Sequence, residues 1–304
     1  MYTVHNATLA GNLSVNGTEG GNCSTDNPLM IPHEVFLILG AISFVENLLV
    51  VAAIAKNHNL HSPMYYFICC LAMSDMLVSI SNVVETFFML LNDHGLLLLG
   101  KSTIKHMDII MDMLICSSLL SSLSFLSVIA IDRYITIFYA LRYHNIMTFQ
   151  RALALILSIW AVCFVASIVF ILNDSPAVIT CLVVFFVAVV TLILALYTHM
   201  FILARHHARR MSHIPKKQNS PQMSSMKGAI TLTILLGVFL ICWGPFFLHL
   251  TLIIICPFRC ACYFNYFSLY LILIICNSVV DPVIYAFRSQ ELKRTLKDML
   301  FLVW

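Results

Sequence analysis

Charge is what this chain has least of. Only 10% of its 304 residues are Asp, Glu, Lys or Arg, while 61% are hydrophobic. Soluble domains average about 25% charged and about 45–50% apolar, so an ordinary water-soluble enzyme is excluded. The mean hydropathy of +0.93 agrees. Internal repetition is also lacking. No unit of ~20–50 residues recurs, which gives solenoids and doubled transporter folds no support. Residues 1–30 lack the apolar core of a cleavable signal, so the first apolar run is expected to serve as its own insertion signal.

Long apolar runs remain, near 33–55, 64–91, 105–137, 150–172, 177–203, 227–255 and 265–287. At ~20–25 residues per crossing, seven crossings consume roughly 175 residues and leave no room for a large second domain. Hydrocarbon cannot satisfy open backbone groups, so each run is expected to be a helix. The fold class is an all-α membrane protein, a seven-helix bundle. A short amphipathic surface helix follows, with Leu292, Leu296, Met299 and Leu300 opposing Lys293, Arg294 and Lys297. The chain thus divides into a tail (1–32), a seven-span domain (33–287) and a terminal segment (288–304).

Basic residues set the orientation. Fourteen of the 17 Lys and Arg lie at one side: Lys56, Arg133, Arg142, Arg151, Arg205, Arg209, Arg210, Lys216, Lys217, Lys227, Arg288, Lys293, Arg294 and Lys297. Lys101, Lys105 and Arg259 lie at the other. The positive-inside rule then predicts a cytoplasmic C-terminus and an extracellular N-terminus. The tail agrees, because Asn6, Asn12, Asn16 and Asn22 each open an Asn-x-Ser/Thr acceptor for glycosylation. A disordered polar tail is the plainer alternative, and either way the segment is too short to be a ligand-binding domain.

Polar residues inside spans cost roughly 2.5–3.5 kcal/mol at mid-membrane and mark function. They form three layers here. Asp132-Arg133-Tyr134 ends span three, and Asn47, Asp75, Ser122, Asn277 and Asp281 occupy the middle. Glu85, Asp108 and Asp112 lie toward the outside. Asp112 and Asp132 are twenty residues apart, about 30 Å of helix. Asp108 and Asp112 share one helix face. Three carboxylates in a partly dry pocket repel unless a cation joins them, and hard oxygen donors suit Ca²⁺. Neutralisation by Lys101 or Lys105 is the alternative. The middle cluster is compatible with water or Na⁺, and equally with an uncharged hydrogen-bond network. Arg133 paired with Asp132 would hold the inner face shut, and Pro245 and Pro282 give spans six and seven hinges.

Cys69, Cys70, Cys116, Cys163, Cys181, Cys242 and Cys276 lie within spans and read as packing residues. Cys23, Cys256, Cys260 and Cys262 lie outside them, on the oxidising side, where four cysteines allow three pairings. No cysteine follows Cys276 to carry a lipid anchor.

Leu71-Ala72-Met73-Ser74-Asp75, Asp132-Arg133-Tyr134, Trp160, Cys242-Trp243-Gly244-Pro245 and Asp281-Pro282-Val283-Ile284-Tyr285 resemble the rhodopsin-class G-protein-coupled receptors over residues ~33–300. The departures from that class narrow the likeness. Asp108 stands where its disulfide cysteine normally does, Asn173-Asp174-Ser175 is all that joins spans four and five, and span five has no proline. Asp281 and Glu46-Asn47 replace commoner residues. These features, with His61-Ser62-Pro63-Met64-Tyr65 and Trp243-Gly244-Pro245-Phe246-Phe247-Leu248-His249-Leu250, are similar to the melanocortin receptors. Length, a sparse C-terminal tail and Trp304 look most like the pigment-cell type.

The resemblance implies a plasma-membrane receptor for melanocyte-stimulating and adrenocorticotropic peptides. It would act through the stimulatory G protein and adenylate cyclase. It implies that Glu85, Asp108 and Asp112 share Ca²⁺ with the arginine of a His-Phe-Arg-Trp core. Leu119, Phe246, Phe247, His249 and Phe267 would contact peptide above Trp243, although such aromatics are more often plain core. The switch would be Asp132, Arg133, Tyr134 and Tyr285. The implied disulfides are Cys256–Cys260 and Cys23–Cys262, the first enclosing only three residues. Agouti-type antagonists and melanocortin receptor accessory proteins are further implied partners; nucleic acid is not. A biogenic-amine receptor would use one acid on span three, whereas three acids favour a larger cationic peptide. An ion transporter would need a continuous polar path, but apolar residues separate the layers. Span seven has no Lys for a retinal Schiff base, and no nucleophile–base pair suggests a hydrolase.

Overall fold

The computed structural model describes residues 31–95, 100–173, 176–211, 221–255 and 267–301. Asn6, Asn12, Asn16, Asn22, Cys23, Cys256, Cys260, Cys262 and Trp304 lie outside them. Spans one to seven are helices at His33–Lys56, Pro63–Asp93, Lys101–Phe138, Phe149–Leu172, Pro176–Met211, Pro221–Ile255 and Phe267–Arg288. An eighth helix, Gln290–Phe301, follows, and no strand occurs among the described residues. All seven are long and apolar enough to cross a membrane.

Helix ends fit local chemistry. Pro63 opens span two, where its missing N–H costs nothing. Thr148 caps span four by accepting from the Arg151 amide at 3.4 Å. Spans five and six run further than hydropathy predicts, to Met211 and from Pro221. Their polar extensions keep bonding along the helix in water, which hydropathy does not register. Residues 212–220, between the two helices, lie outside the described residues.

Span three is the hub. Its most apolar stretch is 72% buried, against 17% in span four and 22% in span five. It packs on spans two, four, five and six. Serines bring spans two and three together: Ser118 Oγ donates to the Ser74 carbonyl at 2.5 Å, and the Ser74 and Ser121 hydroxyls meet at 2.8 Å. Small hydroxyl residues admit close backbones and satisfy themselves across the seam. Phe125, Leu123 and Ile129 fill the interior beside them. The eighth helix docks as its pattern predicts, with Leu292 buried and Lys293, Arg294 and Lys297 exposed. Ser289 caps it through the Leu292 amide (3.0 Å), and its Thr295 hydroxyl accepts from the Asn57 amide at 2.8 Å.

Spans one and two meet at Gly40. A Cβ there would lie 2.7 Å from Val83 Cγ2 and 3.3 Å from Asn82 Nδ2, which donates to the Phe36 carbonyl at 3.1 Å. In an open helix, Gly→Ala would stabilise by roughly 0.5–1 kcal/mol. Here overpacking reverses the sign, at about 1–3 kcal/mol. Gly40→Ala is expected to lower the melting temperature of the detergent-purified protein, and Gly40→Leu to lower it further. A midpoint unchanged or raised in Gly40→Ala would mean that Val83 gives way freely.

Candidate functional site

A small cavity of about 20 Å³ lies among spans three, six and seven. Asp112, Cys116 and Leu119 line it from span three, Trp243 and Phe246 from span six, and Tyr270 from span seven. Leu119 and Trp243 are buried at 2% and 3% exposure and close its floor. Phe246 stands edge-on to Trp243 with ring centres 6.2 Å apart. The wall is otherwise apolar, so a ligand charge entering it would meet Asp112.

Not every aromatic picked from sequence reaches this cavity. Phe247 faces away and stacks on Phe186 of span five, with centres 3.7 Å apart. His249 lies beside Tyr270 at 5.5 Å and does not contribute to the wall. The side chain of Phe267 is outside the described residues. Tyr270 was missed, although a signal existed: eleven residues above Asp281, it shares that residue's helix face.

Glu85 and Asp108 face each other closely enough for the Asp108 charge to act on Glu85. Asp112 lies one turn below Asp108, on the cavity wall. Lys105 is exposed and forms no ion pair among the described residues. The side chain of Lys101 lies outside the description. No three His, Cys, Asp or Glu side chains among the described residues are gathered closely enough to hold a metal. The donors are the right kind for a hard cation, but their carboxylates would have to turn toward one another to share one.

The middle layer assembles much as its residues suggest. Asn47 Nδ2 donates to the Ser278 and Ser43 carbonyls, both at 2.9 Å. Ser278 Oγ donates to Asp75 Oδ1 at 3.3 Å, and Asn277 Nδ2 to Asp281 Oδ2 at 3.1 Å. Ser43, Ser79 and Ser278 join the cluster unforeseen, with Ser79 Oγ donating to Ser43 Oγ at 2.7 Å. Ser122 is buried but makes none of these bonds. Asp75 Oδ2, Asn47 Oδ1, Asn277 Oδ1 and the Tyr285 hydroxyl find no partner among the described residues. Those atoms retain bonding capacity for water or a cation. The buried Tyr285 hydroxyl lies close enough to this layer to feel the Asp281 and Asp75 charges.

At the opposite end of span three, Arg133 Nη2 donates to Asp132 Oδ2 at 2.9 Å. Asp132 is completely buried and its Oδ1 accepts from the Tyr143 hydroxyl at 2.8 Å. Burial first, and then the Asp132 charge, push the Tyr143 phenol well above its ordinary range, so it remains a donor at any physiological pH. Tyr134 takes no part in the ion pair. Its hydroxyl lies 3.2 Å from His199 Nδ1, while Phe138 stacks on the Tyr134 and His199 rings at 4.3 and 4.9 Å. Tyr143 and His199 escaped sequence reading because neither stands near the triplet's own turn of helix. The seven cysteines within spans are free thiols, four of them buried.

Seven helices, an interhelical cavity at one end and an Asp-Arg pair at the other define a seven-span receptor bundle. A family model described as 7 transmembrane receptor (rhodopsin family) matches residues 46–176 and 173–285. The Melanocortin receptor 4 of Danio rerio is 53% identical over 286 residues, 93% of this chain and 88% of that protein. The chain therefore belongs to the rhodopsin family of receptors and, within it, to the melanocortin receptors. It is a multi-pass membrane protein and not an enzyme.

The Tyr143 bond generates a test. Tyr143→Phe leaves Asp132 Oδ1 buried without its donor, a loss of about 1–3 kcal/mol. The Asp132–Arg133 pair should then open more readily, giving a lower melting temperature and higher basal nucleotide exchange on added G protein. Basal exchange equal to that of the parent would mean that Tyr143 does not hold the pair.

Proposed function

We propose that the chain is a plasma-membrane receptor for melanocyte-stimulating and adrenocorticotropic peptides that signals through the stimulatory G protein to raise cyclic AMP. The observation that carries this reading is the cavity: an acid, Asp112, stands over an apolar floor of Leu119, Trp243 and Phe246. That combination suits a cationic peptide bearing aromatic side chains. Membership of the melanocortin receptors supports it. The basic residues support an extracellular N-terminus, glycosylated at Asn6, Asn12, Asn16 and Asn22. The subtype proposed within that family is the pigment-cell type. The disulfides Cys256–Cys260 and Cys23–Cys262, and agouti-type antagonists and accessory proteins as partners, follow from the same likeness.

Glu85, Asp108 and Asp112 would hold Ca²⁺ together with the arginine of the peptide. The ion supplies two positive charges and the arginine one, so three carboxylates end without uncompensated charge. Glu85 and Asp108 already share a field, and Asp112 extends the acidic strip down to the cavity. A biogenic amine would leave the upper two acids without work.

Arg133 lies about 30 Å from the level of Asp112. Arg133→Ala is thus expected to abolish the cyclic AMP response to either peptide in transfected cells while leaving most peptide binding intact. An undiminished response would remove the switch assignment. No response of the parent to either peptide would sink the functional reading itself.

Agonist affinity should rise with Ca²⁺ in chelator-buffered competition binding. Asp112→Asn keeps the size and removes the charge, so it should weaken both affinity and the Ca²⁺ effect. Leu119→Met, nearly two turns deeper, should change ligand preference and leave the Ca²⁺ effect alone. Equal parental affinity in chelator and in millimolar Ca²⁺ would eliminate the ion. A Ca²⁺ effect unchanged in Asp112→Asn would move it elsewhere.

A further inference from the structure

Three rings meet at the inner ends of spans three and five. Tyr134 and Phe138 stand one turn apart on span three, so they share a face, and their rings stack with centres 4.3 Å apart. His199 of span five lies against both. Its ring is nearly parallel to that of Phe138, at 7° and 4.9 Å, and tilted on that of Tyr134 at 5.8 Å. The Tyr134 hydroxyl closes the cluster at 3.2 Å from His199 Nδ1. Tyr197 and Met200 beside it on span five are buried in the bundle, whereas His199 is exposed. An exposed histidine has water for a partner and no need of span three. This one is committed there by two ring contacts and one hydrogen bond.

The Asp132–Arg133 pair cannot do the same job. Its partners are consecutive residues of span three, and the Tyr143 hydroxyl that completes it comes from the segment following that span. Among the described residues, no member of that network belongs to span five. The guanidinium is held through Nη2, while its buried Nε makes no hydrogen bond among the described residues. Its direction therefore depends on how the helix itself is turned. Tyr134 is the next residue along, and successive side chains leave a helix about 100° apart. Anchoring Tyr134 to span five thus fixes the direction in which Arg133 leaves the axis. Phe138 adds a second point one turn further on, and two points on one face resist rotation as well as separation. We propose that His199 is a positioning residue for the inner switch: by gripping Tyr134 and Phe138 it keeps the Arg133 turn in its resting rotation and restrains activity without ligand. The restraint on activity rests on the reading of the chain as a receptor that acts through a G protein; the grip on Tyr134 does not.

The test uses the full receptor in nanodiscs without peptide. In His199→Ala, amide hydrogen exchange of the receptor alone should quicken over residues 134–139. Basal nucleotide exchange on added stimulatory G protein should rise roughly two- to tenfold, the range expected for one aromatic contact and one hydrogen bond. His199→Phe keeps the stack and drops the bond, and Tyr134→Phe removes the same bond from the other side. Both should fall between the parent and His199→Ala, and the two together should go no further than either alone. Exchanging the partners, Tyr134→His with His199→Tyr, should return both readouts toward the parent. A lower melting temperature with no rise in basal exchange would overturn the proposal, leaving His199 a structural contact. Unchanged hydrogen exchange in His199→Ala, or no rescue by the exchanged pair, would overturn it as well. A fall in nucleotide exchange would make His199 a G-protein contact instead. Quickened hydrogen exchange beside a parent that never activates the G protein, even with peptide, would sink the receptor reading and uphold the grip on Tyr134. Should His199→Ala lose its melting transition, His199→Phe and the exchanged pair decide in its place.

Discussion

Hydrocarbon offers no hydrogen bonds, so polar groups within this bundle gather where protein or enclosed water can partner them. That constraint explains why span three lies at the centre. Its serines meet span two, Asp132 is enclosed by Arg133 and Tyr143, and Asp112 turns into the cavity. Spans one, four and five, with fewer such obligations, remain largely turned to lipid. The same constraint separates the polar residues into layers, because an apolar belt can seal each cluster from the next.

Span six connects those layers mechanically. Trp243 closes the cavity floor and stacks over Phe239 at 6.0 Å, which in turn meets Phe186 of span five at 6.3 Å. Pro245 interrupts the helix ladder two residues beyond Trp243, where the backbone is easiest to bend. Pro282 does the same in span seven, next to Asp281 and its partner Asn277. A ligand pressing on Trp243 therefore acts on a helix weakened at the place where force is applied. At the far end, Tyr134, Phe138 and His199 join span three to span five independently of the Asp132–Arg133 pair. The aromatic contact thus joins span three to span five, while the Tyr143 hydroxyl ties Asp132 to the segment that follows span three.

The acidic strip and the apolar floor divide the work of recognition by their physics. Charge acts over distance and selects the sign of a ligand, whereas Leu119, Trp243 and Phe246 act only on contact and select its shape. Placing Asp112 at the junction of the two lets one helix carry both.

Span count, helical state, the eighth helix and the family were legible in the sequence, since hydropathy and period are local properties and the motifs Asp132-Arg133-Tyr134 and Asp281-Pro282 are contiguous. The identity of the polar middle layer was mostly legible too, because any Asn or Asp in a membrane span needs a partner. What escaped depends on rotation about helix axes and on pairs distant in the chain. Phe247 and Phe246 are neighbours in sequence, yet one stacks on Phe186 and the other lines the cavity. Tyr143 reaches Asp132 from a separate short helix, and Ser278 rather than Ser122 bonds Asp75 in the polar cluster. Local sequence determined which segments cross and which residues must be satisfied, while the packing of helices against span three decided which side chains meet, because a contact is a property of two surfaces and not of one.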